Sequence, residues 1–246
     1  MIKFSETDVF IVTGASSGIG EAVAVLLNEL GACVVGVGRD LERLQLMKSK
    51  CSNPAAMFLE QKDLTKDVAN LPKYIKELKD KYGKFKGMVC CAGTDAPQAL
   101  QMVDYEKAQN VFDINYFTPL MMMKAFADKR NHLQDSSIVL ITSTAAIYPE
   151  KGQVIYAATK SALLTSAKVI SKELSSKNLR VNCVSPAEIR TPMYEKKIYI
   201  YGKSAVDDYP FGIGEPVDVA NLVAFLLSEK ARWITGQNYI LDGGAF

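Results

Sequence analysis

Apolar runs of strand length alternate along the chain with longer segments whose apolar residues recur at helical spacing. The runs predict strands over Val9–Thr13, Cys33–Gly38, Ala55–Gln61, Gly87–Ala92, Ser137–Thr142, Leu179–Ser185 and Tyr239–Leu241. The spacing predicts helices over Gly18–Leu30, Asp40–Lys50, Leu71–Lys81, Asp104–Lys129 with a break near Pro119, Gln153–Ser176 and Glu215–Leu227. The strands are β-branched and continuously apolar, as in a parallel sheet covered on both faces. We therefore predict an α/β fold, a single-domain doubly wound parallel sheet of about seven strands spanning residues 1–246.

The least regular stretch of the chain comes late, over residues 187–214. It is long for a connection and rich in tyrosine, so we predict a lid on the substrate side of the domain. Its aromatic residues are candidates for a substrate pocket, and they are Tyr194, Tyr199, Tyr201 and Tyr209.

Composition narrows the classes of protein that remain possible. Of the 246 residues 48% are hydrophobic and 23% charged, which argues against a disordered or fibrous chain. Lys and Arg number 29 against 27 Asp and Glu, so the net charge of +2 provides no field for nucleic acid or an anionic membrane. The five cysteines show no CxxC spacing, and neither disulfides nor a metal site are expected. This cysteine usage indicates a reducing compartment, so we expect a cytoplasmic protein. No apolar run reaches the roughly 18 residues of a membrane span.

The first strand leads into a glycine-rich turn, TGASSGIG, before the first helix. Glycine permits a tight turn and lets backbone N–H groups approach a pyrophosphate at a helix N-terminus. A plain strand-to-helix turn is the alternative, but such turns rarely need three glycines together with Ser16 and Ser17. We interpret Gly14, Gly18 and Gly20 as the phosphate-binding loop of a nucleotide site.

The end of the second strand indicates which dinucleotide binds. NAD-specific sites usually place a carboxylate there to hold the ribose 2′-hydroxyl, whereas this chain has Gly38 followed by Arg39. A guanidinium suits the 2′-phosphate of NADP. Alternatively, Arg39 is a solvated surface residue and Asp40 merely caps the next helix. We expect NADP, with NAD left open.

Tyr156 and Lys160 lie four residues apart in a helical segment, so they share a face. An ammonium close to a phenol stabilises the phenolate and lowers the pKa of the tyrosine toward the neutral range. Ser143 ends the fifth strand, where a hydroxyl can donate to a substrate carbonyl. Asn115 is an unfavourable residue inside a long helix. Each residue also has a purely structural interpretation. Tyr156 and Lys160 fit a half-buried tyrosine beside a surface lysine, Ser143 fits a capped strand end, and Asn115 fits a helix bend.

Together the motifs resemble the short-chain dehydrogenase/reductase family, and the resemblance extends from Thr13 to Gly244. It implies a Rossmann-type fold with a catalytic tetrad of Asn115, Ser143, Tyr156 and Lys160. In these roles Tyr156 is the general acid or base, and Lys160 binds the nicotinamide ribose and lowers the pKa of the tyrosine. Ser143 orients the carbonyl, and Asn115 holds a water of a proton relay.

The resemblance also implies the remaining cofactor contacts. Asp63 and Leu64 match the pair that holds the adenine, and Pro186, Ile189 and Thr191 match contacts on the nicotinamide side. The full set of implied cofactor-binding residues is Gly14, Ser16, Ser17, Gly18, Ile19, Gly20, Arg39, Asp63, Leu64, Ala92, Gly93, Asn115, Tyr156, Lys160, Pro186, Ile189 and Thr191.

Two segments depart from the family pattern. The chain has Cys90-Cys91-Ala92-Gly93 where Asn-Asn-Ala-Gly is common, and Ala187 where a glycine is usual. The first change bears on packing of the central sheet, and the second on the path of the turn.

The predicted function is an oxidoreductase that transfers a hydride between a nicotinamide cofactor and a ketone or secondary alcohol. A 3-oxoacyl-carrier-protein-type reductase and a non-catalytic dinucleotide sensor are the alternatives, because fold does not fix function. The resemblance further implies a homo-oligomer, a tetramer or dimer, built through the two long helices and the last strand. His132, the single histidine, lies in a polar segment and is expected at the surface.

Overall fold

The structure of the chain, a computed structural model, describes residues 1–201 and 209–246, with only the backbone of Lys197, Ile200 and Tyr201. The strands are β1 Val9–Thr13, β2 Cys33–Gly38, β3 Met57–Gln61, β4 Phe85–Cys90, β5 His132–Ile141, β6 Arg180–Pro186 and β7 Asn238–Leu241. The helices are α1 Gly18–Glu29, α2 Leu41–Ser49, α3 Leu71–Tyr82, α4 Tyr105–Phe112, α5 Thr118–Phe126, α6 Val154–Leu174, α7 Pro192–Tyr201 and α8 Pro216–Leu227. Among the described helices, none combines the length and apolar character that crossing a bilayer requires.

All seven strands are parallel, in the order β3-β2-β1-β4-β5-β6-β7. The chain moves outward from β1 to β3 in one direction, then returns to β4 and moves outward in the other. Such a reversal of strand order opens a crevice outside the carboxyl ends of the two central strands. The predicted doubly wound parallel sheet is confirmed, and its crevice lies beyond β1 and β4.

Side chains of successive strand residues pack against opposite layers of helices. On β1, Ile11 belongs to the core under α3, α5 and α6, while Phe10 and Val12 belong to the core under α1, α2 and α8. All three are fully buried. This arrangement explains why the strands read as continuous apolar runs rather than as alternating patterns.

The long helix predicted over residues 104–129 is divided into two helices. Residues Asp113–Phe117 form a π-helical turn between α4 and α5, just before the predicted break at Pro119. Pro119 occupies the first turn of α5, where a missing N–H leaves no helical hydrogen bond unmade. The π turn is the irregularity that carries Asn115.

The late irregular stretch contains a helix that the periodicity did not reveal. Helix α7 occupies Pro192–Tyr201, so the prediction of irregular structure was wrong there. Tyr194 is buried whereas Tyr199 is exposed. The lid over residues 187–214 stays a prediction, because it includes residues 202–208, which lie outside the described residues.

The expectation that His132 lies at the surface was wrong. His132 is the first residue of β5, only 4% exposed, and its ring stacks on Phe126 with centroids 5.8 Å apart. β5 begins five residues before the predicted Ser137. The polar residues Gln134 and Asp135, the latter with φ of 56°, hid this start from a hydrophobicity pattern.

Candidate active site

The backbone of the turn after β1 requires its glycines. Gly14 and Gly18 have φ of 69° and 56°, in the left-handed region that favours glycine. A Cβ on Gly14 would lie 2.9 Å from the Ala92 backbone nitrogen, and one on Gly20 would lie 2.3 Å from the Gly14 carbonyl oxygen. The glycines therefore let the turn pack closely against the segment after β4 and against the start of α1. The space in front of α1 stays open.

That space is a cleft of about 450 Å³ at the crevice between β1 and β4. Ser17 is the N-cap residue of α1 and has an extended backbone, but its side chain makes no capping hydrogen bond. The Ser17 side chain therefore leaves the first N–H groups of the helix available to another acceptor. The predicted cofactor-binding residues that line this cleft are Gly14, Ser16, Ser17, Gly18, Ile19, Gly20, Arg39, Leu64, Ala92, Gly93 and Thr191. A glycine cradle at a helix N-terminus fits the pyrophosphate of a dinucleotide.

One wall of the cleft is basic, and one predicted contact stands apart from it. Arg39 and Lys62 both line the cleft, whereas Asp63 does not. The Asp63 carboxylate accepts hydrogen bonds from the Thr65 hydroxyl (2.7 Å) and backbone N–H (3.0 Å), which hold its pKa below the usual range. Asp63 thus shapes the turn that presents Leu64 and Thr65. Lys62 was not predicted as a site residue, although it directly precedes the Asp63-Leu64 pair.

A second cleft, of about 160 Å³, lies beyond the carboxyl ends of β5 and β6. Ser143 enters it from two residues beyond the end of β5, and Tyr156 and Lys160 enter it from the first turns of α6. Pro186 and Ile189 line it from the end of β6. Three members of the predicted tetrad are therefore together in one cleft.

Lys160 is held in a buried position with its charge partly satisfied. It is 5% exposed, and its Nζ donates to the Ile141 carbonyl at 2.9 Å. The same Nζ lies 5.7 Å from the centre of the Tyr156 ring. Burial lowers the pKa of Lys160 to about 8, because desolvation disfavours the ammonium.

Tyr156 lies within hydrogen-bonding reach of Ser143. Burial raises the pKa of Tyr156 to about 12, a hydrogen bond with Ser143 opposes that rise, and the carboxylates of Asp95 and Glu188 reinforce it. The phenol is therefore protonated at neutral pH. We predicted that Lys160 lowers the pKa of Tyr156 together with the positive charge of an oxidised nicotinamide. That role of Lys160 stays a prediction.

Asn115 lies behind this cleft rather than in its lining. Its side chain donates to the Thr94 carbonyl (2.9 Å) and the Thr159 hydroxyl (3.1 Å), and accepts from the Thr94 N–H (2.9 Å). A Cβ on Gly93 would lie 3.1 Å from Asn115 Oδ1 and 3.5 Å from Lys160 Nζ. Asn115 thus fixes the segment after β4 against α6, and its role in a water relay stays a prediction.

The two clefts form one continuous groove. Ile19, Cys91, Gly93, Thr191 and Met193 line both of them. A dinucleotide that fills the larger cleft would place its far end where these shared residues lead into the smaller one. The groove can therefore hold a long cofactor and present one end of it to Ser143 and Tyr156.

Comparison with known proteins decides the family. The sequence profile of the enoyl-(acyl carrier protein) reductase family matches residues 14–245. A 3-oxoacyl-(acyl-carrier-protein) reductase FabG of Thermotoga maritima is 31% identical over 249 residues, covering 97% of this chain and 98% of the relative. This chain is a short-chain dehydrogenase/reductase. Another relative of this oxidoreductase, a NAD-dependent glycerol dehydrogenase of Listeria innocua, is 31% identical over 247 residues, with 98% and 95% covered.

Solved structures agree with this assignment. A short-chain dehydrogenase/reductase of Brucella melitensis, described as a glucose/ribitol dehydrogenase, superposes with a TM-score of 0.92 at 27% identity. The match covers 100% of this chain and 99% of that one. The predicted Rossmann-type architecture and the resemblance to this family are both confirmed.

Further residues line the cleft that holds Ser143, Tyr156 and Lys160 in this short-chain dehydrogenase/reductase without having been predicted. Asp95 and Glu188 bring carboxylates to it, and Tyr148 and Phe246 form a parallel ring stack with centroids 4.7 Å apart. Phe246 lies nearly a hundred residues from Tyr148, so no local pattern indicates that they meet.

Proposed function

We propose that the chain transfers a hydride between NAD(P), with NADP favoured, and a ketone or secondary alcohol, with Tyr156 as proton donor or acceptor. The observation that carries the proposal is the continuous groove. It joins a glycine cradle at a helix N-terminus to a cleft that holds Ser143, Tyr156 and Lys160.

Each residue of the groove has a role that follows from its position. The nicotinamide, when bound, supplies or accepts the hydride. Tyr156 gives a proton to the carbonyl oxygen as negative charge develops there, and the Ser143 hydroxyl donates a hydrogen bond to the same oxygen. Lys160 provides a positive charge close to the phenol and holds the ribose. Asn115 positions the backbone after β4 against which the ring of the cofactor would rest.

The fit of the dinucleotide rests on the cradle itself. The turn can pack this closely against the segment after β4 only with glycine at position 14, since a Cβ there would lie 2.9 Å from the backbone nitrogen of Ala92. The phosphates would be held by N–H groups at the start of α1, and the adenosine end by the segment with Leu64. Arg39 and Lys62 would pair with a 2′-phosphate, which supports NADP.

The protonation of the site supports the reduction of a carbonyl at neutral pH. A Tyr156 phenol with its pKa raised to about 12 by burial retains the proton that reduction requires. The Lys160 ammonium, whose pKa burial lowers to about 8, is still charged at pH 7. Alcohol oxidation needs the phenolate, so it should gain with rising pH.

The proposal is tested by the turnover of NADPH against a panel of ketones, polyol-derived ketoses and 3-oxoacyl thioesters. Saturable, substrate-dependent loss of nicotinamide absorbance is the expected result. Tight cofactor binding with no turnover of any class would instead support a dinucleotide sensor.

A second candidate is the reduction of a 3-oxoacyl thioester. The relatives named FabG favour it, since they span nearly the whole chain. The stacked rings of Tyr148 and Phe246 at the cleft offer apolar surface for an acyl chain. Selectivity for 3-oxoacyl thioesters over polyol-derived ketoses in the panel would establish this candidate.

Replacing Arg39 with alanine is expected to weaken NADP and leave NAD nearly unchanged. A charge-assisted contact of about 1.5–3 kcal/mol corresponds to a loss of roughly 10- to 150-fold in affinity. Arg43→Ala is the matched control, because Arg43 lies in the first turn of α2, pairs with Asp40 and does not line the cleft. Calorimetric titration of both cofactors measures the effect, and tighter binding of NAD than of NADP by the wild type would contradict it.

We propose a homo-oligomer, a dimer or tetramer, which buries the exposed apolar residues of the chain. Tyr105 on α4 and Val169 on α6 are exposed, as are Ile240 on β7 and Trp233 shortly before that strand. β7 is the edge of the sheet, and Trp233 is 91% exposed. Sedimentation at micromolar concentration should give a multiple of the 27.0 kDa chain, and a clean monomer would overturn the proposal.

A further inference from the structure

A third cleft, separate from the two of the candidate active site, lies at the amino ends of the strands. It has a volume of about 350 Å³ and is lined by the segments before β4, at the start of β5 and between α6 and β6. Three of its lining residues are lysines, Lys84, Lys129 and Lys177, and none of its described lining residues is acidic. Such a concentration of one sign of charge attracts an anion.

Backbone carbonyls hold two of these ammonium groups in place. Lys84 Nζ donates to the Lys129 carbonyl at 3.0 Å, and Lys177 Nζ donates to the Ala127 carbonyl at 3.1 Å. An ammonium has three N–H donors, so each retains others for a ligand. The nearby Asp128 is ionised and also interacts with Lys177, but its single negative charge is paired with Arg130 and leaves the three lysines in excess. Its carboxylate is hydrogen-bonded by the Arg130 guanidinium, which holds the pKa of Asp128 well below the usual range.

His132 is one of the residues that line this cleft, and its ring has a polar atom without a hydrogen-bond partner among the described residues. The side chain is 4% exposed, and its Nδ1 lies 2.7 Å from the Leu133 carbonyl. A carbonyl oxygen only accepts, so Nδ1 carries the hydrogen and the neutral ring has a lone pair on Nε2. Nε2 is buried and has no hydrogen-bond partner among the described residues, a condition that ordinarily carries a free-energy cost.

A ligand that satisfies this cleft must combine two properties. It needs negative charge for the three lysines and an O–H donor for the lone pair on Nε2. Hydrogen phosphate has both, because it retains one P–O–H group near neutral pH. Sulfate has the charge and lacks the hydrogen.

We propose that the cleft at Lys84, Lys129, His132 and Lys177 is a binding site for a phosphate-class oxyanion that carries an O–H group. The site is separate from the active site. β5 begins at His132 and ends at Ile141, and the length of its ten residues, roughly 30 Å, separates the cleft from Ser143. The inference does not depend on the reaction that the chain catalyses.

The single histidine of the chain makes the test direct, because its ring C–H signals in a proton NMR spectrum need no assignment. Untagged protein is titrated with inorganic phosphate, and with sulfate at the same ionic strength, at pH 8. Saturable shifts of the His132 signals are expected with phosphate. Sulfate should bind at least about tenfold more weakly, the effect of losing one hydrogen bond to a buried group.

Variants separate this cleft from the cofactor groove, which also accommodates phosphate. The double variant Lys84→Gln and Lys177→Gln should weaken phosphate at least about tenfold, as two charge-assisted contacts are lost. Lys172→Gln is the matched control, since this exposed lysine of α6 does not line the cleft. Calorimetric titration of NADPH-saturated wild type with phosphate gives a second readout. It tests phosphate binding outside the cofactor groove even if the double variant folds poorly.

Three results would overturn the proposal. They are the absence of a saturable shift of the His132 signals, equal affinity for sulfate and phosphate, and undiminished phosphate affinity in the folded double variant.

Discussion

Replacing Tyr156 with phenylalanine is expected to lower kcat by a factor of about 10²–10⁴ or more, because a positioned acid contributes that much to rate. Phenylalanine keeps the ring and its packing but removes the hydroxyl that gives the proton. Cofactor affinity should hold, since the glycine loop and Lys160 are unchanged. Steady-state kinetics on any accepted substrate, with cofactor titration in parallel, measures both quantities.

Tyr116→Phe is the matched control for this change. Tyr116 follows Asn115 in the π-helical turn, and its hydroxyl contacts Ser166 at 3.2 Å rather than the catalytic cleft. It should retain nearly full activity. A Tyr156→Phe variant that keeps a large fraction of the wild-type kcat would rule out the phenol as the proton donor.

Replacing Lys160 with methionine is expected to reduce activity severely and, at the same time, to stabilise the fold. A lowering of the pKa of this lysine from 10.5 to about 8 by burial corresponds to ~3 kcal/mol of destabilisation. Methionine avoids this cost but leaves the Ile141 carbonyl without its 2.9 Å hydrogen bond. We expect a net gain of about 1–2 kcal/mol in the free energy of unfolding, or roughly 2–8 °C in Tm.

The sign of this effect fixes its pH dependence. Below pH 8 the lysine is charged in both the folded and unfolded states, so the penalty is fully present. Between about pH 8 and 10.5 the unfolded chain binds more protons, and the wild type gains stability as pH rises. The advantage of Lys160→Met should therefore fade across this interval.

Lys168→Met provides the control for Lys160→Met, because Lys168 is an exposed lysine two turns further along α6. It should change Tm little at any pH. Denaturant unfolding at several pH values measures both variants. A Lys160→Met variant less stable than the wild type at pH 7 would show that the ammonium is a net structural support.

Much of the sheet could be predicted because its strands are apolar runs with clear ends. Val9–Thr13 and Cys33–Gly38 were predicted to the residue, since glycine follows the first and ends the second. Helix α7 and the start of β5 at His132 were missed, because Pro192–Tyr201 and Leu133–Asp135 mix polar and apolar residues without a clear period. Tertiary packing, not local pattern, decides such segments.

The candidate site divides in the same way. Ser143, Tyr156 and Lys160 could be identified because their residue types and order match a family pattern, and the parallel sheet brings them to one edge. Asp63 and Asn115 show the limit of that reasoning. Their side chains are occupied by hydrogen bonds to Thr65 and Thr94, which only the folded chain reveals. The contact of Tyr148 with Phe246 is equally invisible to sequence spacing.

The proposed hydride transfer is tested most directly by following deuterium from NADPH labelled on the nicotinamide ring to a carbonyl substrate, with mass spectrometry of the product. Wild-type protein should yield an alcohol with one deuterium on the former carbonyl carbon. Tyr156→Phe should yield that product at most about one hundredth as fast. A folded, cofactor-binding wild type that transfers no deuterium to any ketone, ketose or 3-oxoacyl thioester would contradict the account.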